Sequence, residues 1–132
     1  DSLIKIRNIN RKKIINKLLK NKLLKTKIDF YNESTFVTPS WFGLSIKILE
    51  KKKNIKKKVL KKLEKNGIET RPIISGNFAK QPASLKYGFS KKVKYPNTDN
   101  VYNQSFFIGL PSKKINNNYI TKIVSAFEKS FK

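Results

Sequence analysis

The side chains that carry most protein chemistry are scarce in this sequence. Histidine and cysteine are absent from all 132 residues. That excludes a cysteine nucleophile, a serine-histidine triad, thiolate zinc sites and a disulfide scaffold. The eight carboxylates are scattered, with no pair at mechanistic spacing, and no glycine-rich loop of the Walker or dinucleotide kind occurs. One segment stands out: Ile68-Glu69-Thr70-Arg71-Pro72-Ile73-Ile74-Ser75-Gly76-Asn77-Phe78. It reads as a strand, a proline stop and a small-residue turn, with Arg71, Ser75 and Asn77 along it. A lone arginine at a strand end beside a Gly-Asn turn suits capture of an anionic or polyhydroxylated ligand. Pairing of Arg71 with Glu69, or with a helix end, is the competing role.

The net charge of +23 invites a nucleic-acid reading. Under it, aromatics set among lysines, such as Tyr87, Phe89 and Tyr95, would serve as stacking platforms. Only three of the 31 basic residues are arginines, however (Arg7, Arg11 and Arg71), and arginine is the preferred residue for bidentate phosphate and guanine contacts. Lysine keeps company with an excess of isoleucine, asparagine and phenylalanine, the residues that AT-rich codons over-supply. The charge therefore reads as compositional. No run approaches the ~18 apolar residues of a membrane-spanning helix. The start at Asp1 shows neither a methionine nor a signal-peptide pattern, so the expectation is a piece of a longer, cytoplasmic protein.

The elements around these residues follow from periodicity. Ile14, Ile15, Leu18, Leu19 and Leu23 predict a helix over 10–25, extendable toward Leu3 and Ile6. Residues 26–39 read as a polar connection. Phe42, Leu44, Ile46 and Ile48 share one face of a strand over 40–49. Asn54 is the expected N-cap of a helix whose buried stripe is Ile55, Val59, Leu60 and Leu63, and Gly67 its left-handed stop. A short strand over 68–72 follows, then an irregular stretch with a helical turn near 78–85. Asn97-Thr98-Asp99 resembles a helix start. A third strand over 105–110 stops at Pro111, and Ile120, Ile123, Val124, Phe127 and Phe131 stripe a last helix. The fold class expected is α+β: a small three-stranded sheet with helices on one face, preceded by a long projecting helix.

Several blocks recur in one order: Ser40-Trp41-Phe42-Gly43, Gly67-Ile68-Glu69-Thr70-Arg71-Pro72, Ser75-Gly76-Asn77 with Gln81-Pro82-Ala83, Asn97-Thr98-Asp99, and Phe106-Phe107-Ile108-Gly109. Together, from about Arg11 onward, they resemble the C-terminal portion of the DegT/StrS-type nucleotide-sugar aminotransferases. The branch they most resemble contains the nucleotide-4-keto-6-deoxysugar 3-dehydratases. The resemblance implies a fold-type-I enzyme dependent on pyridoxal 5'-phosphate, a homodimer when full length, in deoxysugar and lipopolysaccharide O-antigen biosynthesis. It implies residues 1–34 as a connecting helix and linker and residues 35–132 as the small C-terminal domain.

The resemblance places the cofactor's aspartate, its phosphate-binding residues and its Schiff-base lysine (histidine in the dehydratase branch) in an upstream domain. No catalytic, cofactor-binding or metal residue is therefore assigned to this chain, which alone is expected to be inactive. Arg71, Ser75 and Asn77 are the expected substrate contacts, on the loop that meets a nucleotide-linked 4-keto-6-deoxysugar, with Ser75 and Gly76 allowing close approach. Trp41 and Phe42 are expected to pack in the core or between domains. A basic nucleic-acid-binding domain and an inactive truncated remnant stay open as alternatives. No membrane partner is expected.

Overall fold

The computed structural model describes residues 2–88 and 93–132; Phe89 lies outside them. Helices α1 (Ser2–Lys20) and α2 (Lys22–Lys25) lead into β1 (Ile28–Phe30) and β2 (Gly43–Ile48). Helix α3 (Ile55–Lys65) and β3 (Thr70–Arg71) follow, then two 3-10 turns over Phe78–Lys80 and Pro82–Tyr87. Helix α4 (Pro96–Gln104), β4 (Ser105–Gly109) and α5 (Asn117–Phe131) complete the chain.

The α+β class holds, but the sheet has four strands where three were expected, in the order β1-β2-β4-β3 with every pair antiparallel. The additional strand, β1, pairs Ile28 with Ile48 and Phe30 with Ile46. Three residues carrying Asp29 at their centre are too short to show a two-residue period, so this strand was invisible in the pattern. In β2 the alternation works: Leu44, Ile46 and Ile48 are fully buried. Phe42 is not on that face. It lies one residue outside the strand, 68% exposed, with its ring edge-on to Phe107 at 5.3 Å.

Helix α5 covers the buried face, and its Phe127 ring stacks on Phe106 of β4 at 6.5 Å. Val59 and Leu63 of α3 and Ile14 and Leu18 of α1 enter the same cluster. The leading helix thus packs against α5 and shares the core instead of projecting from the domain. Buried Asn10 ties it down, donating to the carbonyls of Pro111 at 2.9 Å and Lys113 at 2.8 Å. The helical stripe expected over 10–25 is interrupted at Asn21, whose side chain accepts from Leu23 N and Leu24 N and restarts the chain as α2. Asparagine competes for helical backbone hydrogen bonds in this way.

Two more caps discriminate. Gly67, at φ 79°, is the left-handed stop after α3. Asn54 precedes α3 as expected, yet it sits at φ 62° and makes no side-chain capping bond. Its backbone conformation, not its amide, turns the chain into the helix. The projected strand over 68–72 shortens to Thr70–Arg71, paired with Ile108 and Phe107 of β4.

Candidate substrate-facing loop

Strand β3 runs into Pro72, where the missing donor ends the ladder. The loop beyond it, residues 72–77, forms one wall of an open groove of about 1510 Å³. The start of α3 and the turn before it make the second wall, and residues 100–105 the third. Gly76 is the tightest point. At φ 68° it occupies the left-handed region, and a methyl group there would lie 2.5 Å from Tyr102 Cδ2. Only glycine lets the loop rest on that ring.

The three residues expected at the site occupy three different positions. Ser75 lines the groove, and its carbonyl accepts a hydrogen bond from Gln81 Nε2 at 3.1 Å. Asn77 is behind the wall, 3% exposed: its Nδ2 donates to Asp99 Oδ1 at 2.7 Å and its Oδ1 accepts from Ala79 N at 3.0 Å. Arg71 stands outside the groove lining. Its Nε and Nη2 both donate to Glu69 Oε1, at 3.0 and 2.6 Å. Of the two roles open in the sequence, this geometry is the Glu69 pairing. Both partners are mostly solvent-exposed, 65% and 75% by side chain, so the pair is held weakly and opens at little cost.

Residues that sequence reasoning did not nominate complete the electrostatics. Lys80 Nζ lies 2.6 Å from Asp99 Oδ1; this hydrogen bond, then that from Asn77, hold the Asp99 carboxyl below the usual aspartate value. Lys56 donates to the Tyr102 carbonyl at 2.7 Å, and burial lowers its pKa. The lysine nitrogens at 56 and 80 lie 5.9 and 5.6 Å from the Tyr102 ring centre, within cation-π reach. Asp99 and Gln81 fall within recognisable sequence blocks. Lys56 and Tyr102 sit in lysine-rich or unpatterned sequence that carries no such signal.

Each described carboxylate has a partner within the chain. Glu33 receives Arg11 and Trp41, and Glu50 receives Lys27 and Lys52. Glu64 accepts from Thr70, Glu69 from Arg71 and Glu128 from Asn21. Asp99 holds Asn77 and Lys80, and Asp29 turns back onto Phe30 N. Hydrogen-bonding groups that line the groove, among them Ser75, Gln81 and Asn103, suit contacts to a polar ligand.

The chain is 34% identical over 95 residues to the lipopolysaccharide biosynthesis protein RfbH of Salmonella typhimurium, covering 70% of this chain and 21% of that protein. Over 48 residues it is 46% identical to the GDP-4-keto-6-deoxy-D-mannose 3-dehydratase of Escherichia coli O55:H7, 36% of this chain and 12% of that one. The solved E. coli 3-dehydratase with bound hydrated PLP superposes with a TM-score of 0.77 at 26% identity, over 96% of this chain and 31% of that one. An aminotransferase from Psychrobacter cryohalolentis shares the fold at 13% identity and TM-score 0.74, over 96% of this chain and 34% of that one. The chain thus spans about a third of the length of its solved relatives. The model of the DegT/DnrJ/EryC1/StrS aminotransferase family matches residues 2–128, and the chain belongs to that family.

Proposed function

We propose that this chain is the small, substrate-facing domain of a nucleotide-sugar aminotransferase or 3-dehydratase in deoxysugar and lipopolysaccharide biosynthesis. The substrate is a nucleotide-linked 4-keto-6-deoxysugar, the working form is a cytoplasmic homodimer, and pyridoxal phosphate is held by residues outside this chain. The cofactor supplies the electron sink for chemistry beside the ketone. The chain's own residues bind and orient.

One observation carries the reading. An exposed guanidinium, restrained only by an equally exposed carboxylate, stands at the strand end that leads into a loop braced from behind. Exchange of Glu69 for a substrate oxygen retains the charge-assisted bonds and adds no buried unpaired charge. Ser75 lines the groove wall, and a serine hydroxyl both donates to and accepts from a hydroxyl-bearing ligand. Asn77 positions the loop through Asp99 and touches the substrate only after that tie opens.

The test is conversion by the protein produced from its complete reading frame. It is incubated with pyridoxal phosphate, glutamate and GDP-, CDP- or dTDP-linked 4-keto-6-deoxyhexoses. The expected result is a 4-amino sugar or a 3-deoxy sugar, and which one forms decides between aminotransferase and dehydratase. Absence of conversion together with absence of nucleotide-sugar binding would overturn the proposal.

A further inference from the structure

Two of the three arginines, Arg7 and Arg11, stand one turn apart on α1. Arg11 has its partners in the chain. Its Cζ lies 4.4 Å from the Trp41 ring centre, and its Nη1 and Nη2 donate to Glu33 and to the Tyr31 carbonyl. Arg7 has none. It is half-buried, and no hydrogen bond, ion pair or ring contact holds it among the described residues. Asn8 donates its Nδ2 to the Pro39 carbonyl at 3.2 Å. Only three buried side-chain nitrogens or oxygens among the described residues lack a hydrogen-bond partner: Arg7 Nε, Asn8 Oδ1 and Arg11 Nε. All three belong to this one turn. Such atoms are few in any fold, because each gives up water without replacement. Their concentration in one turn marks a surface that another group completes.

The atoms specify the chemistry of that group. Two are guanidinium N–H donors, and the third is an amide oxygen that only accepts. A free carboxylate answers the donors but brings no N–H to Asn8. A polypeptide segment carrying Asp or Glu supplies both, a carboxylate for the planar fork of Arg7 and an N–H for Asn8. The surroundings also suit protein. The loop that Asn8 holds at Pro39 exposes Phe36 and Val37, at 95% and 60%, and aromatics beside arginine are enriched at protein interfaces. The described carboxylates are already engaged within the chain, which spans 31% of the length of the solved 3-dehydratase. We propose that the turn at 7–11 is a docking point for the remainder of the full-length protein. That remainder inserts an Asp or Glu side chain into the Arg7 fork and sets an N–H on Asn8 Oδ1. The inference rests on the reading of the chain as one domain of a longer enzyme, not on its substrate.

The experiment uses the protein from its complete reading frame. Arg7→Lys keeps the charge and places a primary amine at the site. A water-soluble carbodiimide then joins that amine to a carboxylate in contact with it, as an amide, the carboxylate oxygen leaving on the carbodiimide as a urea. Peptide mapping should find position 7 joined to an Asp or Glu outside residues 1–132. A link to an acid within 1–132, in the same or a second copy, overturns the proposal. So does the absence of a link at position 7 while the native lysines couple. Arg7→Met keeps an apolar stem and loses the fork. It should speed proteolysis of the stretch joining the domain to the rest about tenfold, with Arg7→Lys between it and the native protein. Lys5→Met, an exposed neighbour on the same helix, should leave cleavage unchanged. Equal cleavage of Arg7→Met and the native protein would mean that solvent completes the turn, and overturns the proposal. Turnover of nucleotide sugars enters neither readout, so the substrate proposal and this one fail separately.

Discussion

The side-chain amide of Asn77 donates to Asp99 Oδ1 at 2.7 Å, joining the loop after β3 to the first turn of α4 across 22 positions of sequence. The same amide's oxygen accepts from Ala79 N, so one buried residue caps a 3-10 turn and anchors the loop. Asn77→Ala removes both bonds and leaves the part-buried Ala79 N–H without this acceptor. It should cost about 1–3 kcal/mol of unfolding free energy, read in a denaturant titration. Asn77→Asp should be at least as costly near neutral pH, where two carboxylates would face each other, and should recover on acidification.

Asp99 links this anchor to pH. Its folded pKa lies below the free value of 3.8 because of Lys80 and Asn77. A depressed carboxylate contributes stability above its unfolded pKa and loses it as pH falls through the folded one. The loop should therefore hold its shape down to about pH 4 and loosen below it. Backbone amide shifts over 75–80 report this, and Asp99→Asn should flatten their acid limb. An unchanged acid limb in Asp99→Asn would remove Asp99 from the account.

Glycine at 76 and glycine at 67 separate space from conformation. Both have positive φ, but Gly76 has Tyr102 against it whereas Gly67 has open space. Gly67→Ala should cost about 1–2 kcal/mol from backbone conformation alone. Gly76→Ala adds a clash with the ring, so it should cost more and displace Tyr102. The comparison is made by thermal unfolding, with Tyr102 ring resonances reporting the displacement.

Leu63 has no exposure and belongs to the core cluster, on the helix that packs against α5. Leu63→Ala should cost about 2–5 kcal/mol, with nucleotide-sugar binding by the surviving folded fraction unchanged. A binding defect at full folding would mean that α3 shapes the groove more directly than its stripe indicates.

Long, strongly periodic elements were legible. Helix α5, Asn117–Phe131, carries the apolar stripe from Ile120 to Phe131, and Gly67 ends α3 as its type requires. Short elements were not. Strand β1 has only Ile28, Asp29 and Phe30 and is defined by pairing with β2, a long-range fact absent from local pattern. Phe42 matched the two-residue period but fell just outside the strand, where the period no longer governs. At the candidate site, the sequence singled out a segment that lines one wall of the groove, but not the different positions its residues take. Asn77 faces inward because Asp99 is there to receive it, and Arg71 of β3 turns to Glu69, the residue just before the strand, where both side chains protrude into solvent. Such roles depend on partners 22 and 2 positions away whose approach only the fold decides.

The central claim is that Arg71 belongs to the substrate and not to the fold, and Arg71→Lys tests it most directly. Lysine keeps the positive charge but loses the planar fork that makes two parallel hydrogen bonds. Steady-state kinetics are measured on the protein from its complete reading frame, with the melting temperature taken on the same preparation. The account expects kcat/KM to fall roughly ten- to a hundredfold, about 1.4–2.7 kcal/mol. The melting temperature should barely move, because the Glu69 pair is exposed at both ends. A loss of several kcal/mol in stability with turnover untouched would contradict it and make Arg71 a tie within the fold.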